Sequence, residues 1–526
     1  AGGIPEKRAG WRVLRKFSSA PVNGVFSAVL YEKTYYFAHV GTEMYVWGGR
    51  LNLSIDNAKK IGSSMNNSKS CFFTGYADIT RIKPSEYANE PVQCVFVLDG
   101  SKYWLFTDVP NENYPNDPYS NIEAVISDYD DSNAYKPKTS IRRSPDGTVT
   151  TQHESVNLCS YGRWNYFDGD GTSTVYKLDV DSLSSDYPVN AYDENMAPYL
   201  EQEITFTIDY TNGSITFSEA PPAGIDNVRI SFGKKPQTDL NACTIASKFT
   251  VGAGDNRAVL SGHPKFPNYE WISAYNDCTY FPDNNYNVIG MGSTAVMGYA
   301  SVSGAQVIFK ESDGQSPTVF TRTYTTDDSG NTVFLIKQGC AGYGAVSKHC
   351  IDVLAGEPLF LSSSGVIGLA LSDITQNASL QNRSFHIDAG LCKEADLQNA
   401  VGCVCKGFFY IFINGKVYIL DGVQEKVYRA ESLGDYAYEC FYWDSVPAYS
   451  VAVIDGSVWF GASDGRLCRF NDDWTSMDRF NDYTAPDLSG LSPVSASWAT
   501  KLDQDNAEGR FKTWLKKGPQ VSIKPY

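Results

Sequence analysis

SVAVIDGSVWFGASDGRLCRF, from Ser450 to Phe470, contains in one short stretch the pattern that decides the fold. Apolar residues alternate with others, and the alternation is broken twice, at Asp455-Gly456 and at Asp464-Gly465. In a strand, successive side chains leave opposite faces, so alternation with period two describes a sheet with one buried side. Asp-Gly at a bend supplies the positive φ angles that a tight type I′ hairpin turn requires. The stretch therefore reads as three short antiparallel strands joined by two turns.

The same unit recurs along the chain. GFFYIFINGKVYILDG, Gly407 to Gly422, turns at Asn414-Gly415, and VFVLDGSKYWLF, Val95 to Phe106, turns at Asp99-Gly100. EPLFLSSSGVIGLAL, Glu357 to Leu371, is another hairpin. VFSAVLYEKTYYFAHVGTEMYVW has expected turns at Glu32-Lys33 and Gly41-Thr42. Meanders spread over several hundred residues suit a β-propeller, whose radial closure protects strand edges. A series of sandwiches and a solenoid are the competing readings, and the spacing is too irregular for a solenoid. The expectation is an all-β propeller of about six blades with a small inserted β-sandwich domain.

Composition agrees with strands. Among 526 residues there are 34 Tyr, 27 Phe, 44 Gly and 24 Pro, while charged residues make up 20%. Aromatic residues favour strands, and Gly and Pro punctuate turns. The formal charge of −16 argues against a protein that grips nucleic-acid phosphates through clustered Lys and Arg. No secretory leader and no apolar run of membrane-spanning length is present, which implies a soluble chain without membrane insertion. The absence of Met at Ala1 suggests a cut end. The 12 Cys are scattered without a zinc-type pair, and are expected to be buried thiols, with structural disulfides as the alternative.

Four segments are expected. Residues 1–140 hold the N-terminal blades, 141–236 the inserted domain, 237–490 the remaining blades, and 491–526 an extended C-terminal segment. Within the insertion, EITFTIDYTNGSITFSEAPPAGIDNVRISF reads as a three-strand meander with turns at Asn212-Gly213 and Pro221 to Gly224. The lead-in from Val109 to Lys138 is loop-like in composition. Helix is scarce, with Lys393 to Ala400 as its one candidate, and Asp482 to Pro493 reads as a loop.

Catalytic motifs fail on context. Gly461-Ala462-Ser463-Asp464-Gly465 fits G-x-S-x-G, but a nucleophile elbow needs a following helix, and here a strand follows. Asp168-Gly169-Asp170-Gly171 starts like a calcium loop, yet Ser173 and Asp179 occupy the positions that require Gly and Glu. His39, His153, His263, His349 and His386 are isolated, and no HExxH, P-loop or dinucleotide fingerprint occurs. No catalytic, cofactor-binding or metal-ligating residue is nominated, and the expected protein is not an enzyme. Tyr35, Tyr36, Phe37, Tyr103, Trp104, Phe409, Tyr410 and Trp459 lie in strands and read as core. Tyr114, Tyr119, Tyr269, Trp271, Tyr280 and Phe281 fall in loops and are candidates for an interface. Arg142 with Arg143, Lys234 with Lys235, and Lys516 with Lys517 read as solvated charges or subunit contacts.

Particular stretches resemble a known family. GGIPEKRAGWRVLRKF followed by NGVFSAVLYEKTYYFAHVGTEMYVW is similar to the start of phage tail nozzle and tail-tube proteins. Those proteins carry a K-R-x-G-[WFT] element and then GVNGLF…AHVGTKLY, after a further N-terminal segment. TIASKFTVGAGDNRAVLSGHPKFPNYEWISAYNDCTYFPDNNYNVIG, Thr244 to Gly290, is the most specific match and resembles virion proteins of phages and prophages. QGCAGYGAVSKHCIDVLAGEPLFLSSSGVIGLA and SLQNRSFHID share that resemblance, and YTNGSITFSEAPPAG is common among phage tail proteins. The resemblance implies a structural virion protein: a nozzle or tail-hub subunit of a homo-hexameric ring beneath portal and adaptor proteins, anchoring tail fibres or spikes. Genome DNA would pass through without sequence-specific binding, along a wall that net negative charge keeps from sticking. Assembly would occur in the host bacterial cytoplasm. The alternatives are a receptor-binding or fibre-attachment tail protein and a glycan-active propeller enzyme.

Overall fold

Each Asn-Gly or Asp-Gly pair read above as a hairpin turn lies between two paired strands. Asn414 (φ 51°) with Gly415 (φ 76°), and Asp455 (φ 50°) with Gly456 (φ 70°), have the paired positive φ of type I′ turns. The first hairpin turns one residue earlier than expected, at Tyr31 (φ 45°) and Glu32 (φ 66°), because Lys33 already pairs with Leu30. The computed structural model describes residues 8–495 except 51, 78–90, 109–122, 125–133, 237–239, 253–255, 329–331, 372–377, 424–426, 429–435, 472–476 and 486–489.

Among the described residues, six four-stranded antiparallel meanders and one six-stranded sheet form the propeller. Their first strands are Val22–Leu30, Cys71–Ala77, Ile245–Phe249, Val296–Val302, Ile351–Leu354, Val401–Cys405 and Ala448–Ile454. Each of these touches the first strand of the next sheet, and the last touches the first, so they enclose an axis. There are thus seven blades, not about six. The meanders read from the sequence account for blades one, two, five, six and seven, while blades three and four, starting at Ile245–Phe249 and Val296–Val302, are not among them; the seventh is built from both ends of the described chain. Ala448–Ile454, Ser457–Ala462 and Arg466–Phe470 supply three of its strands, and Trp11–Lys16 pairs antiparallel with the third.

That closure is clasped by charge. Arg8 donates from Nη1 to Asp482 Oδ1 at 2.8 Å and from Nη2 to Oδ2 at 2.6 Å, and Trp11 N donates to Oδ1 at 3.1 Å. Two parallel N–H···O bonds between buried groups fix direction as well as distance. Asp482 sits in strand Asn481–Tyr483, which runs parallel to Trp11–Lys16 and pairs in turn with Leu491–Pro493. The expected loop over 482–493 therefore contains two short strands, held by pairing that the polar sequence does not announce.

Apolar side chains fill every gap between blades. Phe37, Val46, Val97 and Phe106 pack blades one and two, and Leu361, Val366, Phe409 and Ile411 pack blades five and six. Tyr35, Phe37, Tyr103, Trp104, Phe409 and Trp459 are buried, whereas Tyr36 and Tyr410 are partly covered. Tyr36 stacks between Trp47 and Trp459, with ring centroids 5.7 and 6.2 Å away, where blade one meets blade seven. All 12 cysteines are free thiols, eight of them buried.

Among the described residues, helix is confined to single turns. One runs Asp388–Leu391 and a 3-10 turn covers Leu397–Asn399, so the helix expected over 393–400 is displaced and shortened. Among the described residues, no helix is long and apolar enough to cross a membrane.

The insertion lies between Glu123–Ala124, the fourth strand of blade two, and Ile245–Phe249. It has a five-stranded sheet and a three-stranded sheet, with Phe167, Tyr176, Ile215, Phe217, Val228 and Ile230 buried between them. The expected three-strand meander is divided. Phe206–Asp209 and Ser214–Phe217 pair in one sheet, while Gly224–Gly233 joins the other beside Gly162–Gly169. Pro221 and Pro222 have no N–H to continue a ladder, and the chain changes sheets there.

Candidate functional site

The loop after the third strand of blade three, Ser273 to Asn285, belongs to the stretch with the most specific resemblance. Of its polar residues, Ser273, Asp277 and Thr279 are buried. It meets two passes of the insertion: the incoming segment at Ala134 and Tyr135, and a return loop, residues 155–161, between strands Thr151–Gln152 and Gly162–Gly169. Ala134, Leu158 and Cys159 join Phe96, Tyr103, Cys278 and Phe281 in one apolar cluster between blades two and three.

Asn157 is the centre of this joint and is fully buried. Its Nδ2 donates to Tyr135 O at 2.8 Å and to Thr279 O at 2.9 Å. Its Oδ1 accepts from Cys159 N at 3.0 Å and Phe281 N at 2.9 Å. An amide offers two donors and two lone pairs, and here all four are occupied. Leu158 N donates to Phe281 O and Asp283 N to Val156 O, both at 2.9 Å, so the loops are laced by backbone as well. Tyr280 donates to Ser155 O at 2.8 Å and its ring lies 4.9 Å from that of Tyr135. Tyr103 donates to Cys278 O at 3.0 Å, anchoring the same loop to blade two. Burial pushes the Cys278 thiol up to about 12, which makes it an inert packing group. A joint with more than two chain passes and saturated polar groups resists bending.

Two further polar clusters lock neighbouring blades. Between blades five and six, Arg383 holds Glu357 Oε1 through Nε at 2.9 Å and Nη2 at 2.7 Å, while Tyr436 and Tyr438 donate to Oε2 at 2.8 and 3.0 Å. Between blades three and four, Arg322 pairs with Glu270, which also accepts from Asn287 and Tyr299 at 3.0 Å each. Both carboxylates are buried and are held by partners from their own blade and from the next one.

Of the loop aromatics expected at an interface, Trp271 and Phe281 are buried, which corrects that expectation. Tyr280 is partly covered in the joint. Tyr269 stacks on Tyr286, with centroids 5.5 Å apart, on the outer side of blade three. Tyr114 and Tyr119 lie outside the described residues, as do Lys516 and Lys517. Arg142 is exposed and pairs with Asp168 at 3.2 Å. Arg143 is buried, donating to the carbonyls of Lys177 and Leu178, so it is structural and not a surface charge. Lys234 reaches Asp181 at 3.2 Å.

Ser463 and Asp464 sit in the hairpin loop before Arg466–Phe470, with Asp464 held by Arg466 at 2.8 Å. Asp168 and Asp170 line a shallow cleft of about 520 Å³ with Arg142, Ser144 and Asp146. Asp170 accepts from Thr172 N, Ser173 N and Ser173 Oγ, which hold its carboxyl below the ordinary range and cap the turn. Asn157, Glu357 and Arg383 were not legible as a set, since each comes from a different segment with no spacing signal.

No family model and no curated protein matches the sequence. Among solved structures, virginiamycin B lyase from Staphylococcus aureus is similar at 7% identity and TM-score 0.37, over 88% of this chain and 99% of that one. BamB from Moraxella catarrhalis is similar at 9% identity and TM-score 0.31, over 89% and 99%. The computationally designed Ika8 protein is similar at 9% identity and TM-score 0.32, over 88% and 99%.

Proposed function

We propose that this chain is a non-catalytic structural subunit of a bacteriophage tail, forming with its copies a nozzle or hub ring through which DNA leaves the particle. The observation that carries the reading is the joint. The stretch that most resembles virion proteins, Thr244 to Gly290, folds as blade three, and its Ser273–Asn285 loop fixes the inserted domain to the propeller. A ring subunit must present a side domain at one angle to its neighbours, and a saturated, many-pass joint supplies that angle. In this reading the propeller is the wall, and the insertion contacts adaptor, fibre or spike proteins. The charge of −16 keeps DNA phosphates from adhering to the wall.

Electron microscopy of phage particles carrying a tag in the inserted domain tests this. The expected result is a ring of tagged density at the tail with hexameric symmetry. Threefold density on fibres would replace it with the fibre-attachment reading. Absence of the chain from purified particles would overturn both.

A further inference from the structure

In a propeller whose blades run outward from a first strand, the segments that lead into those first strands all reach the same end of the axis. Here that end is not lined by neutral groups. Lys69 precedes Cys71–Ala77 of blade two, and Lys348 and His349 precede Ile351–Leu354 of blade five. Lys69 Nζ crosses to blade six, donating to Asn399 O at 2.6 Å, and stands 4.9 Å from the ring centroid of Tyr449 in blade seven. Lys348 Nζ crosses to blade three and donates to Thr244 Oγ1 at 2.6 Å. Among the described residues, neither ammonium forms an ion pair with a carboxylate, although the Glu311 carboxylate acts on Lys348 from a greater distance. Each has three N–H donors, and the described protein groups occupy one.

We propose that this mouth of the propeller axis is a binding site for a small multivalent oxyanion of phosphate size, held between Lys69 and Lys348 with the His349 imidazole beside it. An isolated half-buried ammonium is costly unless a counter-charge completes it. Burial accordingly draws Lys69 down to about 8 and lowers Lys348 as well. His349 is drawn down to about 4 by burial and by the charges of Lys69 and Lys348, so the two cations act on one imidazole. The ring is neutral at pH 7 and makes no hydrogen bond among the described residues, leaving one N–H and one lone pair for a ligand. A phosphate-like dianion would match two ammonium charges and accept their remaining N–H groups. In a chain of net charge −16 the site does not work by long-range attraction. It works by contact, in a place that bulk ions screen weakly.

Calorimetric titration of the full chain with inorganic phosphate at pH 7 and low ionic strength tests the site. One saturable site of about millimolar affinity or tighter is expected. Lys69→Met and Lys348→Met should each weaken it about tenfold or more, while Lys69→Arg should retain it. Lysine acylation read by mass spectrometry needs no variant: phosphate should slow modification of Lys69 and Lys348 but not of the exposed Lys60. In a parallel arm, tighter binding of phosphoserine than of inorganic phosphate assigns an esterified ligand, and the reverse order assigns the free ion. Absence of saturable heat together with unchanged acylation would overturn the proposal. So would unchanged affinity in the Lys69→Met/Lys348→Met double variant. Either failure leaves the tail reading intact, since that reading does not use this mouth.

Discussion

The joint and the axial mouth are both polar, both covered, and both assembled from several segments, yet they are opposite in one respect. At the joint Asn157 has all of its hydrogen-bonding capacity occupied by the protein itself. At the mouth, among the described residues, Lys69 and Lys348 each make one hydrogen bond and no ion pair, and His349 makes none with its ring. Saturation marks a group that determines shape, because any movement leaves buried donors or acceptors without partners. Spare capacity marks a group that can meet something from outside. The distinction is measurable, since substitutions on the saturated side should cost stability and those on the unsaturated side should not.

The largest effect is expected where a saturated cluster includes charge. Arg383→Met leaves the Glu357 carboxylate buried with only tyrosine donors, and should destabilise the protein by about 4 kcal/mol. Urea unfolding measures this, and a loss under about 1 kcal/mol would mean that water replaces the guanidinium. Asn157→Ala comes next. It strands Cys159 N, Phe281 N and two carbonyls, for about 3 kcal/mol. Hydrogen exchange at Phe281 should accelerate with it, and proteolysis should free the insertion. An intact joint with normal exchange would remove Asn157 from the centre of the assembly.

A pH measurement crosses both sides of the comparison. Burial holds His39 and His349 at about 4, below the ordinary 6.5. Between those values the unfolded chain binds protons that the fold refuses, so stability is present above the ordinary value and falls as pH drops toward 4. The pair should contribute a loss on the order of 2 kcal/mol between pH 7 and pH 5, discounted for the partial exposure of His349. Carboxylates also titrate on acidification, so the informative quantity is the difference in slope between the natural protein and His39→Asn/His349→Asn. Equal slopes would show that neither imidazole is kept neutral by the fold.

The sequence disclosed the fold wherever turn chemistry is local. Asn414-Gly415 and Asp455-Gly456 announce their hairpins because Asn and Asp tolerate the left-handed conformation that the first position needs. Ser303-Gly304, Ala355-Gly356 and Lys406-Gly407 adopt the same positive φ at both residues with a less suited first residue, imposed by the ladders around them. Those turns were harder to read, and the blade count fell short with them. Three strands of the seventh blade are legible in Ser450 to Phe470, but its fourth is not: pairing Trp11 with Phe470 is a closure over nearly the whole chain, invisible to any local pattern. The axial mouth did leave a trace. Lys69-Ser70-Cys71 and Lys348-His349-Cys350 repeat a Lys-x-Cys tripeptide where the chain leads into two first strands. That repeat becomes meaningful only once the blades are counted and both tripeptides are seen to share one end of the axis.

The smallest expected effect is the sharpest test of the contrast. Lys69→Met removes a hydrogen bond to Asn399 O and a cation 4.9 Å from the centroid of Tyr449, two contacts that would cost stability if the side chain were structural. It also removes a desolvated charge, which acts in the other direction. Because Lys69 is lowered to about 8 in the fold against an ordinary 10.5, its burdened charged form is fully present below pH 8. The burden is relieved as pH rises from 8 toward 10.5, where the folded amine is neutral and the unfolded one is still charged. At pH 7 the relieved charge and the lost contacts oppose each other, so the substitution should cost no more than about 0.5 kcal/mol of unfolding free energy. The natural protein should gain stability relative to the variant as pH is raised through 8 to 10. A loss at pH 7 as large as that of Asn157→Ala would place Lys69 among the shape-determining groups and erase the difference between mouth and joint.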